Sequence, residues 1–170
     1  MKNIIMERIT PPTNEVELLN IEKEMECQFP NDYRQFLLTY NGGIPKKNII
    51  PFVENGIVTE DYVDLFCGIC DNRTYSLFTI YCRFIGRIPD NTIPIARDPG
   101  GNLFVMSIRG DDYGCIYFWD HEEECSDNWD LDDTENTEYK SPDYSNMTFV
   151  AKSFTDLINN LRGISELDDK

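Results

Sequence analysis

The chain has 170 residues and 19.8 kDa, and 15 Lys+Arg against 31 Asp+Glu give a formal net charge of −16 with a pI near 4.3. A surface of that sign cannot neutralise a phosphate backbone and is repelled by anionic headgroups, which argues against nucleic-acid binding and against docking on an acidic membrane. It steers a basic partner instead, and the 41% hydrophobic, 27% charged composition is that of a globular chain able to bury a core without staples.

The amino-terminal apolar run is broken at Glu7, and no apolar stretch reaches the roughly 18 residues a bilayer span needs. The chain therefore reads as cytosolic, where its six cysteines are expected as free thiols or small core hydrophobes. Asn14 and Glu17 have capping-box spacing, and Leu18, Ile21 and Met25 recur at helical intervals to about Glu26. Pro30 suits the first turn of a second helix. Tyr33, Phe36, Leu37 and Tyr40 make its buried stripe, and Asn41-Gly42-Gly43 stops it.

Strands are expected at 48–53 and 63–69, where β-branched and aromatic residues lie between Gly and Asp/Asn turn signals. Residues 74–85 read as a helix with Leu77, Phe78, Tyr81, Phe84 and Ile85 on its apolar face. Three strands follow, at 93–96, 102–108 and 115–119, the last two joined by the hairpin-like loop 109–114. Phe104, Met106 and Ile108 alternate inward, and the wholly apolar 115–119 run suggests a central strand covered on both sides. From Asp120 to Tyr139, ten of twenty residues are acidic and none is Lys or Arg, so this stretch reads as a solvated acidic loop. A short strand at 147–151 and a helix from Ser153, with Phe154, Leu157, Ile158 and Leu161 as its stripe, precede a polar tail from 164 to 170. The expectation is one α+β domain over 1–170, its core about 13–163, with helices against a mostly antiparallel mixed sheet.

Motifs of catalysis do not assemble. Cys67-Gly68-Ile69-Cys70 has metal or redox spacing, and Cys82, Cys115, Cys125 and His121 are further zinc-ligand types. A single CxxC followed by a loop rather than a helix fits inert core cysteine better, so neither metal nor cofactor is expected. His121 is the sole histidine, and pairing it with Cys115 would need a third residue to orient the ring. Consecutive solvated carboxylates lack the fixed separation of a glycosidase pair. Asp127–Asp132 lacks the glycine and closing glutamate of an EF-hand. Asp98-Pro99-Gly100-Gly101-Asn102 precedes a strand, so it has no helix N-terminus with which to cradle phosphate.

Phe29-Pro30-x-Asp32-Tyr33-x-x-Phe36-Leu37-x-x-x-Asn41-Gly42-Gly43 resembles the signature of the SUKH superfamily, which contains the fungal Smi/Knr cell-wall-synthesis regulators and many bacterial immunity proteins. Ile93–Asn102 resembles the family's central turn and strand, Gly114–Glu122 its next strand, and Val150–Phe154 the start of its closing helix. The resemblance covers about 13–163 and departs at Phe29, at Cys67 and Cys70, and in the acidic insertion after His121. It implies an α+β fold without enzymatic activity. It further implies an immunity protein that binds and neutralises a cognate, basic toxin, a nuclease being one such toxin; the alternative is a regulatory interaction module with an endogenous partner. On the first reading the contact residues are expected to be Asp120, Glu122, Glu123, Glu124, Asp130, Asp132 and Asp133 as phosphate mimics, with Trp119 and Trp129 as anchors. On the plainer reading Trp119 is core and the acids are only solvated.

Overall fold

The computed structural model describes residues 4–123 and 143–164. Local capping starts its helices. The Asn14 side chain accepts from the Val16 and Glu17 amides and opens α1 (Glu15–Glu24), satisfying donors that a first turn leaves orphaned. Glu17 does not complete a capping box, because its carboxylate accepts from the Thr13 hydroxyl at 2.7 Å. Behind Pro30, α2 (Asn31–Tyr40) buries Tyr33, Phe36 and Leu37, while Tyr40 at the end of the expected stripe is half-buried. The Phe36 ring lies 5.2 Å from Phe66 and 4.7 Å from Phe154. Each ring so buried stabilises the fold by about 2–3 kcal/mol.

β1 (Met6–Glu7) and β2 (Ile44–Pro45) form a two-residue antiparallel pair, and β3 (Ile49–Glu54) and β4 (Ile57–Tyr62) a full hairpin. Asn55 and Gly56 turn that hairpin with φ of 50° and 81°, the left-handed values a two-residue turn of this hand requires. The expected strand at 63–69 reduces to β5 (Leu65–Phe66), with β4 ahead of it. β4 carries little burial signal, and Asn55-Gly56 is the cue that marks it. Ser76 caps α3 (Leu77–Phe84) by accepting from the Thr79 amide. This helix buries Leu77 and Ile80, whereas Ile85, expected on its apolar face, lies past the last turn and is exposed.

β5 joins β6 (Thr92–Arg97), β7 (Leu103–Ser107), β8 (Ile116–Trp119) and β9 (Met147–Ala151) in a sheet of order β5-β6-β7-β8-β9, every pair antiparallel. The strand covered on both faces is β7, all of whose residues are buried; β8 leaves Tyr117 half-buried. Ser153 caps α4 (Phe154–Asn160), which lays Phe154, Leu157 and Ile158 on the core, with Leu161 just beyond its end. The α+β class and antiparallel pairing agree with the sequence reading.

Candidate functional site

The acidic stretch leaves the sheet at the end of β8 and returns at the start of β9, and hydrogen bonds close the neck between them. The Asp120 amide donates to the Asn146 carbonyl at 3.2 Å, and Asn146 Nδ2 donates to the Asp120 carbonyl at 3.0 Å. On the return side the Tyr144 hydroxyl donates to Asp112 Oδ2 at 3.1 Å and accepts from Asn91 Nδ2 at 2.8 Å. The same Asp112 carboxylate takes the Tyr117 and Ser107 hydroxyls. Burial and this carboxylate push the Tyr117 phenol well above its ordinary range, so it stays a proton donor.

On the outgoing side, Asn102 Oδ1 accepts from the His121 amide at 3.1 Å and lies 2.6 Å from His121 Nδ1. With the amide already donating to that oxygen, the ring proton belongs on Nδ1. Asn102 is itself held by Asp98, whose carboxylate accepts from the Gly101 and Asn102 amides and from Asn102 Nδ2. The glycine-rich turn is thus closed by its own carboxylate and supports the neck.

Charge gathers here from four segments. Burial raises the Asp61 carboxyl on β4, the Tyr62 amide opposes that rise by donating to it, and the charges of Asp98, Asp120 and Glu54 add to it. Glu122 and Glu123 are exposed just beyond, and Asp120 is half-buried. Asp61 lies on β4, for which the sequence gives no strand expectation, and Glu54 lies just past the expected 48–53 strand, so neither stands out in the sequence.

Trp119 is corrected. It is fully buried, its ring edge-on to Phe84 at 5.4 Å with the Arg87 guanidinium 5.4 Å over it, so it offers a partner no surface. Inward-facing geometry at the end of β8 makes it core. Glu124, Trp129, Asp130, Asp132 and Asp133 lie outside the described residues.

Cysteine chemistry finds no activated thiol among the described residues whose shift is resolved. Burial pushes the Cys67 and Cys27 thiols up to about 12 and raises Cys70 and Cys115 as well, opposite to what a thiolate nucleophile requires. Cys115 Sγ points to the Lys152 carbonyl at 3.8 Å and has no bond to His121. Among the described residues no three His, Cys, Asp or Glu side chains gather to hold a metal.

What fixes the Cys67–Cys70 loop is Asn41, read from sequence only as part of a helix stop. It sits at φ 54°, its Nδ2 donates to the Pro11 and Ile69 carbonyls at 2.7 and 2.8 Å, and its Oδ1 accepts the Ile69 amide at 2.7 Å. The Thr10 hydroxyl donates to its carbonyl. A Cβ on Gly68 would stand 2.2 Å from the Asn41 carbonyl oxygen, so glycine is what lets the two segments meet.

Helices α2 and α4 against an antiparallel sheet, joined at the Asn41-Gly42-Gly43 corner, define a SUKH-type domain. The chain belongs to the SUKH_6 family, described as SMI1-KNR4 cell-wall, whose match covers residues 15–158. It is similar to the SPbeta prophage-derived uncharacterized protein YokK of Bacillus subtilis (strain 168), 31% identical over 125 residues, which is 65% of this chain and 62% of that protein. The chain thus spans less than two thirds of that relative's length. Among the described residues no helix is long and apolar enough to cross a membrane.

Proposed function

We propose that this protein is a cytoplasmic immunity protein: it binds a cognate, basic toxin, covers the surface that the toxin uses, and transforms nothing itself. The observation that carries this reading is the charge of the neck. A run with ten acids in twenty residues and no Lys or Arg leaves the sheet at Asp120, whose charge, with those of Asp98 and Glu54, adds to the burial that raises the Asp61 carboxyl. A carboxylate raised by burial and by neighbouring acids, as Asp61 is, costs stability unless a cation meets it, and a cationic cleft supplies that counter-charge. The raised thiols argue against covalent cysteine chemistry, and the prophage origin of the relative suits an accessory protective role. The family's cell-wall description supports the second reading, a regulatory module that binds an endogenous partner.

Should a gene beside this one encode a secreted protein with a toxin domain, co-expression with that adjacent toxin domain tests the choice. Restored growth and a stable complex are expected. No rescue, together with capture of the chain by an endogenous cell-wall protein in its host, would move the assignment to the regulatory reading.

A further inference from the structure

Residues 57–66 run as one extended segment whose two edges have different neighbours. One edge faces β3, where the Val63 amide donates to the Asn48 carbonyl at 2.7 Å. The other faces β6, where the Asp64 amide donates to the Arg97 carbonyl at 2.8 Å. Alternation along a strand therefore turns the backbone groups of Tyr62, Glu60 and Val58 toward the β6 side. β6 ends at Arg97, and among the described residues no strand continues its row. Among the described residues, the Tyr62 amide donates to the neighbouring Asp61 carboxylate at 2.5 Å.

The flanks of this vacant row differ in chemistry. On one face Val58 and Tyr62 are 68% and 45% exposed, with Val53 opposite Val58 and 57% exposed, and Glu60 between them is paired with Arg162. On the other face Asp61 turns toward Asp98, Asp120 and Glu54. Two ion pairs border the region, Asp64 with Arg97 at 3.4 Å and Glu60 with Arg162 at 3.6 Å. Natural edge strands are guarded by charged side chains, proline or a bulge; β4 (Ile-Val-Thr-Glu-Asp-Tyr) has no proline and no bulge, and its two charges are acids, which repel an acidic strand and admit a basic one.

We infer that this row receives one extended strand of a basic protein partner, whose backbone pairs with Val58 and Glu60, with its apolar side chains on Val58 and Tyr62 and its lysines or arginines toward Asp61 and Asp120. The inference rests on the proposal that the chain neutralises a basic protein, and it adds the mode of contact: strand addition with a period-two, apolar–basic occupant. A second copy of the chain is the wrong occupant, since pairing two β4 strands sets acid against acid. The chain's own Asp120–Tyr139 stretch has the wrong sign for the same reason.

The test follows backbone amide exchange in the full chain with an alternating lysine–valine octapeptide, and with a glutamate–valine octapeptide as control. The lysine peptide should slow exchange at Val58 and Glu60 about tenfold, and the glutamate peptide should leave it unchanged. Val58→Pro removes an outward amide without touching the β3 hydrogen bonds, and should weaken peptide binding about tenfold. Val58→Lys keeps the backbone, places a cation in the row, and should weaken it similarly should the proline variant fail to fold. No protection by the lysine peptide, equal protection by both peptides, or protection that tracks dimer formation would each overturn the inference. The adjacent toxin domain separates the two proposals. Rescue by the wild-type chain and equally by Val58→Lys sinks strand addition and leaves immunity standing; protection by the lysine peptide without rescue does the reverse.

Discussion

Two asparagines clasp the chain at separate points of the fold, and their surroundings differ. Asn41 is buried, and everything its carboxamide reaches is backbone: Pro11 and Ile69, with glycines allowing the close approach. Asn146 is half-buried and binds the Asp120 carbonyl, and the charge of Asp120, with those of Asp98 and Glu54, adds to the burial that raises the Asp61 carboxyl. The same chemical device therefore serves scaffold where its neighbours are neutral and presentation where they are charged. A motif that resembles a family most closely can be the part that says least about its partner.

The contrast can be broken most forcefully at Asn41. Asn41→Ala leaves backbone groups of Pro11 and Ile69 without partners and keeps a non-glycine residue at positive φ, so a loss of about 3–5 kcal/mol is expected by denaturant unfolding. Asn41→Gly relieves the backbone conformation and should recover part of that loss. A change below about 1 kcal/mol would show that the corner is not a structural knot. Next in size is Trp119→Phe, which should cost about 1–3 kcal/mol through lost core packing while leaving the rate of partner association unchanged. A slowed association with unaltered stability would restore Trp119 as a contact residue.

Smaller effects sharpen the other side of the comparison. Converting Glu122, Glu123, Glu124, Asp130, Asp132 and Asp133 to their amides should slow association with a basic toxin about tenfold and leave stability within about 0.5 kcal/mol. An unchanged rate would place the contact elsewhere. The smallest expected effect is at Asp61. Its folded carboxyl is raised, so the folded state holds its proton more tightly than the unfolded chain does. That group then contributes instability above its folded pKa, and this is relieved as pH falls toward the ordinary carboxylate range. Asp61→Asn should accordingly stabilise the protein slightly at neutral pH, with the advantage vanishing in acid. A destabilised variant at neutral pH would mean that the acids around it are balanced by cations.

Much of the scaffold was legible because its information is local. The stripes of α2 and α4, the proline before α2, and the apolar runs of β6, β7, β8 and β9 each specify burial within a few neighbouring residues. What escaped depends on distant partners or on weak burial. β4 reads as a polar stretch, and its strand character follows from pairing with β3 across Asn55-Gly56. The pairing of β1 with β2 joins residues far apart in sequence. Ile80 rather than Ile85 faces the core because Ile85 lies past the end of α3. At the candidate site the acids around Asp120 could be read directly, whereas the contribution of Asp61, Asp98 and Glu54 needed the hairpin folded beside the neck.

The most direct test of an anionic face occupying a cationic partner is the association rate with the adjacent toxin domain across ionic strength. A fall of about tenfold or more between about 50 and 500 mM salt is the expected result, with most of it lost in the amide-substituted variant. An association rate that is flat across that range would contradict the proposal.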